Sequence, residues 1–236
     1  MDKTTRIIII TLISVFIGGI ICLKMPKNSQ NSELSNLDPY TIYSGSDLNG
    51  NISDHIKGNP NAKIILYEYA DYQCPGCASV NPWINELIEG YEGKIGLVYR
   101  SYLLSYHANA RAAAASAEAA GLQGYWKAYA DLLFANQSEW EGATASTRGS
   151  YFNSYFETAS KGEGDLEKFQ SDLKSEAVSK KIDFDVALAK SVNIEATPAL
   201  YLDGEPIDWY EQNTKTGFLE FMRNLIDEKL AKIESE

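Results

Sequence analysis

Two cysteines separated by two residues constrain this chain most. Cys74 and Cys77 enclose Pro75 and Gly76; β-branched and aromatic residues precede them, and apolar residues at helical spacing follow. This pattern predicts a strand-to-helix junction, where unpaired N–H groups and the positive end of the helix dipole favour an exposed thiolate at Cys74. A pair at this spacing can be a redox centre, an inert disulfide or half of a metal site.

Composition narrows the class of protein. The chain has 236 residues, 44% of them hydrophobic, which is enough for one well-packed domain with attachments. A net charge of -11 argues against a nucleic-acid surface, so no nucleic-acid partner is expected. A zinc site would need carboxylates or the distant His55 and His107, because there is no second cysteine pair at this spacing. We therefore expect no metal.

The N-terminal segment predicts attachment to a membrane. Lys3 and Arg6 precede an apolar run over residues 7–23, which Lys24 closes. The run is marginal for a spanning helix and long for a signal-peptide core, and its positive flank predicts an exterior location for the rest. We predict an uncleaved anchor over 1–24, with a cleaved signal as the alternative, and read Cys22 as an apolar filler within it. Residues 25–50 are predicted to be a flexible linker and 51–236 the folded domain.

The order of elements in that domain alternates strand and helix and is then interrupted. A strand ending at Tyr69, the cysteine helix with Pro82 inside it and a strand over 95–104 predict a right-handed crossover. A helical insertion is predicted over about 107–191, with helices at 108–120, 125–134, 151–159, 165–178 and 183–191. A hairpin turning at Asp203 and Gly204 and a helix over 216–233 follow. His55 is expected in a surface loop, and Tyr72 in an apolar platform for unfolded substrates.

Residues 54–233 resemble the DsbA-like branch of the thioredoxin superfamily. The matching positions are Glu68 six residues before Cys74, the Cys-Pro-Gly-Cys motif, Pro82, and the pair Thr197-Pro198. The resemblance implies an α/β thioredoxin fold, a central mixed β-sheet flanked by helices, with an inserted α-helical domain.

The resemblance also implies roles for the cysteines and their neighbours. Cys74 is expected to be the nucleophile and Cys77 the resolving thiol, with Pro75 and Gly76 in the active-site loop. Strongly oxidising members carry histidine where this chain has Gly76, which implies a less stabilised thiolate and a weaker oxidant.

Two further sites come from the resemblance. Glu68 matches a buried acid that could exchange a proton with Cys77; the alternative is an outward-facing strand residue. Thr197 and Pro198 match a loop with a cis proline that binds extended substrates. A proline before a strand is otherwise usually trans.

These features predict a single-pass protein of the cell membrane with its catalytic domain outside the cytoplasm. It would form disulfides in secreted or cell-envelope proteins, without a cofactor beyond the redox-active Cys74–Cys77 disulfide. Expected partners are reduced or unfolded secreted proteins and, by resemblance, a quinone-linked membrane thiol oxidase; a monomer is expected. The alternatives are a reductase or isomerase of the same fold, a non-enzymatic substrate-binding module with a structural disulfide, and a metal-handling protein.

Overall fold

The computed structural model describes Leu34 and residues 36–235, and from Leu37 onward these form one compact unit. The predicted anchor lies outside the described residues. Among the helices that are described, none has the length and apolar character needed to span a membrane. The compact unit starts before residue 51. The backbone carbonyls of Pro39 and Thr41 accept hydrogen bonds from Arg100, and the side chain of Asn49 is buried. Residues 37–50, predicted as linker, are therefore folded.

A five-stranded mixed sheet forms the centre of the unit. Its strands are β1 (His55–Gly58), β2 (Ile64–Ala70), β3 (Ile95–Ser101), β4 (Ala199–Leu202) and β5 (Glu205–Pro206). Their order across the sheet is β1-β3-β2-β4-β5, and only the β2–β3 pair is parallel. The predicted parallel pairing of β2 with β3 and the predicted C-terminal hairpin are confirmed.

Eight helices are described besides a short 3-10 turn at Asp47–Asn49. They are α1 (Pro75–Gly90), α2 (Ala110–Gly121), α3 (Trp126–Ala135), α4 (Gln137–Trp140), α5 (Arg148–Ala159), α6 (Leu166–Asp172), α7 (Glu176–Ser191) and α8 (Lys215–Ser235). Helices α2 to α7 all lie in the chain between β3 and β4, as predicted for the insertion. The α/β thioredoxin fold with an inserted helical region is confirmed.

The predicted break between two helices of the insertion is in the wrong place. The chain leaves α6 after Asp172 and starts α7 at Glu176, because Ser175 caps the new helix by accepting from the Val178 N–H at 3.2 Å. Buried Val178 and Ile182 then continue one apolar stripe through the position where a break was expected. Asp165 caps α6 as predicted, accepting from the Lys168 N–H at 2.9 Å.

The prediction that His55 lies in a surface loop is wrong. His55 begins β1, its Nε2 lies 2.8 Å from Glu118 Oε2, and its ring stacks on Trp126 with centroids 4.5 Å apart. A β-carbon at Gly121 would lie 2.7 Å from the ring, so the glycine permits this close approach. The four residues of β1 carry no apolar alternation, which is why the sequence pattern missed the strand.

Four buried charges join the N-terminal segment, β3 and α7. The carboxylate of Asp54 accepts from Arg100 at 2.6 Å and from Lys181 at 3.0 Å, and Lys181 also donates to Asp185 at 2.6 Å. Asp185 in turn accepts from the backbone N–H of Ser101 at 3.1 Å. Two cations and two carboxylates balance, so the cluster fixes the insertion to the sheet without leaving an unpaired buried charge.

Candidate active site

Cys74 is the N-cap residue of α1 and Cys77 lies in its first turn. Cys74 has an extended backbone (φ -77°, ψ 121°), and Pro75 occupies the first helical position, where its missing N–H costs nothing. Both cysteines are free thiols. Cys77 is fully buried, as expected for the resolving thiol. Cys74, the expected nucleophile, is only 7% exposed and so is less accessible than predicted.

The environment of Cys74 favours its thiolate strongly. Its pKa falls from 9.0 to about 5, mainly because the Cys77 thiol donates to it, against the opposing effect of burial. The Thr197 hydroxyl and the backbone N–H groups of Cys77 and Gly76 lower the pKa further. The Thr197 hydroxyl has no partner in the thiol form and is therefore free to donate to a thiolate. In that thiol form, Cys74 Sγ donates to the Thr197 carbonyl at 3.3 Å.

Cys77 is the opposite case. Burial raises its pKa well above 9.0, and its contact with Cys74 and the charge of Glu68 raise it further. Only the backbone of Asp71 opposes this. In the reduced state one sulfur is held as a thiolate and the other as a thiol, and the thiol donates to the thiolate.

Glu68 lies on β2 with 1% of its surface exposed, which excludes the outward-facing alternative. Neither carboxylate oxygen has a hydrogen-bond partner among the described residues. Burial raises the pKa of Glu68 to about 6, although the Lys57 ammonium acts in the other direction. Glu68 can therefore bind and release a proton near neutral pH.

A buried lysine near Glu68 was missed from the sequence. Lys57 Nζ donates to Asn81 Oδ1 at 2.6 Å and lies 3.9 Å from Asp131 Oδ1. Asn81 Nδ2 donates to the same Asp131 oxygen at 3.1 Å. Burial lowers the pKa of Lys57, and Glu68 and Asp131 partly offset this. Lysine in a short polar strand looks like a surface residue, so no sequence signal marked it.

The Thr197–Pro198 peptide bond is cis and lies against the cysteine motif. A β-carbon built at Gly76 would be 3.5 Å from Pro198 Cδ and 3.7 Å from Cys74 Sγ, so the two loops are in contact. Tyr210 donates from its hydroxyl to the Pro198 carbonyl at 3.2 Å and is 54% exposed. Tyr210 thus supplies an exposed aromatic ring beside the loop.

Tyr72 does not provide the expected platform. Its side chain is buried, its ring packs on those of Tyr99 and Phe134, and its hydroxyl accepts from Trp126 Nε1 at 3.1 Å. Tyr72 follows a buried strand and points into the interface between sheet and insertion. The prediction was wrong because position next to the motif does not determine the direction of a side chain.

Side chains of the insertion bind the backbone of the cysteine loop. Gln137 Nε2 donates to the carbonyls of Tyr72 at 2.7 Å and Cys74 at 3.0 Å. From the loop, Gln73 accepts from the Asn109 N–H at 2.6 Å and donates to the Glu141 carbonyl at 2.9 Å. These residues were missed, because an amide side chain carries no periodic signal. They fix the loop to the insertion.

Asp71 fixes the same loop from the other side. Its buried carboxylate accepts from the backbone N–H groups of Gln73 and Leu104 at 2.8 and 2.9 Å, and lies 2.9 Å from His107 Nδ1. Its carbonyl accepts from the Cys74 N–H at 3.0 Å. His107 thus holds the loop and does not contact the sulfurs through any hydrogen bond described.

Comparison with known proteins then assigns the family. The family model described as Thioredoxin matches residues 50–222, well over half of the chain. The chain belongs to the thioredoxin family. This agrees with the sheet order, with the cysteine pair at the start of α1 and with the cis proline facing it.

Solved structures of thioredoxin-like proteins resemble the chain over most of its length. Pseudomonas aeruginosa DsbA2 is 26% identical with a TM-score of 0.52, covering 65% of this chain and 84% of that one. Bacillus subtilis BdbD, in its oxidised form, is 21% identical with a TM-score of 0.54, covering 76% and 98%. Wolbachia pipientis α-DsbA1 is 22% identical with a TM-score of 0.58, covering 78% and 94%. The resemblance to the DsbA-like branch therefore holds.

Relatives in sequence carry a different name. The Na(+)/H(+) antiporter NhaA of Herminiimonas arsenicoxydans is 30% identical over 171 residues, which are 72% of this chain and 26% of that protein. NhaA 3 of Salinispora tropica is 31% identical over 153 residues, 64% and 22% respectively. The chain spans about a quarter of the length of these relatives. Their antiport activity is a property of whole proteins of which the matched stretch is only 22–26%.

The thioredoxin-family site has the groups for thiol chemistry. Within the part of the chain that the structure describes, no cluster of three or more His, Cys, Asp or Glu side chains could hold a metal. The fold, the family and the two free thiols are those of a thiol:disulfide oxidoreductase.

Proposed function

We propose that this protein forms disulfides in secreted or cell-envelope proteins by thiol:disulfide exchange through Cys74 and Cys77. The observation that carries the proposal is the division between the two sulfurs: the pKa of Cys74 is lowered to about 5, whereas that of the buried Cys77 is raised. A thiolate beside a resolving thiol is the arrangement that exchange requires.

The reaction can be written through these groups. A substrate thiolate attacks Cys74 Sγ of the Cys74–Cys77 disulfide, whose S–S bond breaks as the substrate–Cys74 bond forms. The electron pair remains on Cys77, which takes a proton from Glu68. A second substrate thiolate then attacks the substrate sulfur, so that Cys74 leaves as a thiolate and the substrate carries the new disulfide. The two electrons of the substrate thiols end on the two cysteines.

The direction of exchange follows from which state the site stabilises. A leaving group of low pKa departs readily, and a stabilised thiolate lowers the free energy of the reduced protein, which makes the disulfide a better oxidant. Gly76 brings no side chain to help, but its backbone N–H and that of Cys77 supply donors in place of one. This supports the oxidase over a reductase of the same fold.

Substrate, place and partner are parts of the same proposal. The exposed Tyr210 and the Thr197–Pro198 loop beside Cys74 suit an extended, unfolded segment carrying a reduced cysteine. An exterior location, with the chain held by residues 1–24, suits a product that persists only in oxidising compartments. Reoxidation by a quinone-linked membrane thiol oxidase would return the disulfide, and the protein would act as a monomer.

The test is the reduction potential of the full-length protein. It is equilibrated in glutathione buffers of graded poise, thiols are trapped, and the disulfide is quantified by mass, with Cys74→Ser and Cys77→Ser as matched controls. We expect a potential above about -200 mV, towards that of strong oxidants. A potential at or below about -270 mV would favour the reductase. No exchange at all would favour the binding module.

A further inference from the structure

A cavity of about 530 Å³ opens on the surface of the helical insertion, and neither cysteine lines it. We call it the insertion pocket. Three helices begin beside it, because Arg111 lies in the first turn of α2, Arg148 is the first residue of α5 and Ser175 is the N-cap of α7. Its floor is made of buried and half-buried apolar side chains from these helices, namely Ala112, Ala115, Phe152, Val178 and Ile182. A cavity of this size can hold a few apolar side chains of a ligand.

Three cations form the rim of the insertion pocket. Arg111 is paired with the exposed Asp183 at 2.9 Å, whereas Arg148 donates to the neutral Asn109 Oδ1 at 2.8 Å. The ammonium of exposed Lys174 has no ion-pair or hydrogen-bond partner within the part of the chain that the structure describes. Among the described residues no Asp or Glu lines the pocket, although the chain has a net charge of -11. An apolar floor below two unbalanced cations is complementary to an anionic ligand that carries apolar groups.

Hydrogen bonds join the rim of the pocket to the cysteine loop. Arg148 binds the Asn109 side chain, and the Asn109 N–H donates to Gln73 Oε1 at 2.6 Å, one residue before Cys74. The Asn109 side chain also donates to the Glu141 carbonyl at 3.0 Å, and Gln73 Nε2 donates to the same carbonyl at 2.9 Å. Only the side chains of Asn109 and Gln73 separate Arg148 from the loop that carries Cys74. One extended segment of a bound protein can therefore reach both places.

We propose that the insertion pocket binds an acidic, apolar segment of the protein whose cysteines are oxidised at Cys74. The inference rests on the proposed function and names the class of substrate that the site prefers. Carboxylates of the segment pair with Arg148 and Lys174, and its leucine or phenylalanine side chains cover the apolar floor. Binding at the pocket holds a cysteine of the same substrate near Cys74, which raises the local concentration of that thiol without any new contact at the sulfurs.

Charge complementarity favours a foreign acidic segment over this chain's own segments. Residues 1–33 contain only two acids, Asp2 and Glu33, against four cations of the same sign as the rim, namely Lys3, Arg6, Lys24 and Lys27. A second copy of the chain would bring its own net charge of -11 against the first, and the repulsion between the two copies opposes association. The place of the pocket beside a loop that exchanges with protein thiols favours a protein segment over a lipid.

The first experiment measures binding without thiol chemistry. The full-length protein is titrated into a fluorescent, cysteine-free peptide that alternates Glu or Asp with Leu or Phe, and anisotropy is recorded at low and high salt. Two matched peptides replace the acids with Lys or the apolar residues with Ser, and neither should bind. We expect Lys174→Glu to weaken binding about tenfold, because reversing one exposed charge turns an attraction into a repulsion. Ala115→Gln should weaken it at least about tenfold by filling the space of an apolar side chain.

Lys161→Glu is the matched control for the charge reversal. Lys161 is an exposed lysine of the same insertion, just beyond the far end of α5, whose 12 residues span about 18 Å. Its reversal changes the net charge of the protein as much as Lys174→Glu does and should leave the Kd within about twofold. If Lys161→Glu weakens binding as much as Lys174→Glu, the effect belongs to net charge and the pocket is refuted. If Ala115→Gln fails to fold, the comparison of these two exposed lysines decides.

Other occupants give distinct results that would overturn the proposal. Displacement of the peptide by vesicles of anionic phosphatidylglycerol, but not of phosphatidylcholine, would assign the pocket to a lipid surface. A protein dimer in sedimentation that the peptide dissociates would assign it to a second copy. Equal binding of the acidic and the lysine peptides would exclude recognition by charge.

A second experiment links the pocket to the thiol site and separates the two proposals. The same peptides are joined through Gly-Ser linkers of increasing length to one cysteine and are mixed with the oxidised protein. We expect the acidic, apolar peptide to lower the KM of exchange at an optimal linker length with little change in kcat, and Lys174→Glu to abolish that advantage. Binding without any advantage in exchange would refute the role in substrate choice. The anisotropy readout needs no exchange, so failure of the oxidase proposal and failure of the pocket are distinguishable.

Discussion

Lowering the pH should remove a defined part of the stability of the reduced protein and none of the matching part of the oxidised protein. The folded reduced state holds Cys74 at a pKa of about 5 against an ordinary 9.0. Because the folded pKa is depressed, the stabilisation is complete above the unfolded pKa of 9.0. It decreases steadily as the pH falls from 9.0 to about 5, where it is almost lost. The oxidised protein has no thiol at this position and is the matched control.

The magnitude follows from proton linkage. At pH 7 the Cys74 thiol is ionised in the folded protein, where its pKa lies about two units below this pH, and neutral in the unfolded chain. Two pKa units add about 2.7 kcal/mol to the free energy of unfolding. Below pH 5 this contribution approaches zero. Since the disulfide form lacks it, the same quantity makes the reduction potential at pH 7 more positive by about 60 mV than an ordinary cysteine would.

Urea unfolding of both redox forms between pH 4 and pH 7 measures this directly. Glu68 and Asp185, whose pKa values of about 6 also lie in this range, are present in both forms and cancel in the reduced-minus-oxidised difference. We expect that difference to change by about 2.7 kcal/mol over the range. A difference that stays within about 0.5 kcal/mol would contradict a Cys74 pKa near 5 and the oxidase direction built on it.

Three further perturbations test other parts of the site. Gln137→Leu removes two hydrogen bonds to the cysteine loop, so it should cost about 1–3 kcal/mol and raise the pKa of Cys74. Thiolate absorbance would measure the pKa, with Gln123→Leu, which binds only the Asp165 backbone, as control. Glu68→Gln should stabilise the protein by about 2 kcal/mol at pH 8. Burial raises the pKa of Glu68 from 4.5 to about 6, so above pH 6 the folded protein contains a buried carboxylate charge that lowers its stability, and glutamine removes that charge. If Glu68→Gln and the wild type had equal urea midpoints at pH 8, with unchanged slopes, the predicted stabilisation would be wrong. Lys181→Met should cost about 3–5 kcal/mol, because it leaves buried Asp185 without a cation and Asp54 with Arg100 alone. Lys180→Met, which breaks only the surface pair with Glu176, should change the urea midpoint little.

The elements that the sequence predicts well are those with a local signal. Strand β2 is a run of β-branched and aromatic residues, α1 repeats its apolar residues with helical spacing, and the turn at Asp203 and Gly204 has the residues that a tight turn needs. Cys74 and Cys77 followed from the motif itself, whereas Glu68 and the Thr197–Pro198 loop followed from the family resemblance. The structure brings all of them to one place. Their roles stay predictions.

What the sequence did not predict depends on partners distant in the chain. His55 is read as a loop residue until Glu118 and Trp126 are placed beside it, and Lys57 as a surface residue until the sheet and α3 enclose it. Gln137 binds carbonyl groups more than sixty residues earlier. Polar side chains that find buried partners have no periodicity, so only the assembled fold identifies them.

These long-range contacts make the reactivity of Cys74 a property of two parts of the fold. Helix α1 supplies the N–H groups of Gly76 and Cys77 that lower the pKa of Cys74. Those groups point at the sulfur only while the Cys74 backbone keeps its extended conformation. The carbonyl of Cys74 accepts from Ala78 within the helix and from Gln137 of the insertion. The hydrogen bond from Ala78 holds Cys74 at the end of the helix but does not hold the loop before it. Gln137 also binds the Tyr72 carbonyl, so it holds both ends of that loop. The insertion therefore contributes to thiolate stability without contacting either sulfur, and a change in its packing should alter the redox behaviour of a motif whose own residues are unchanged.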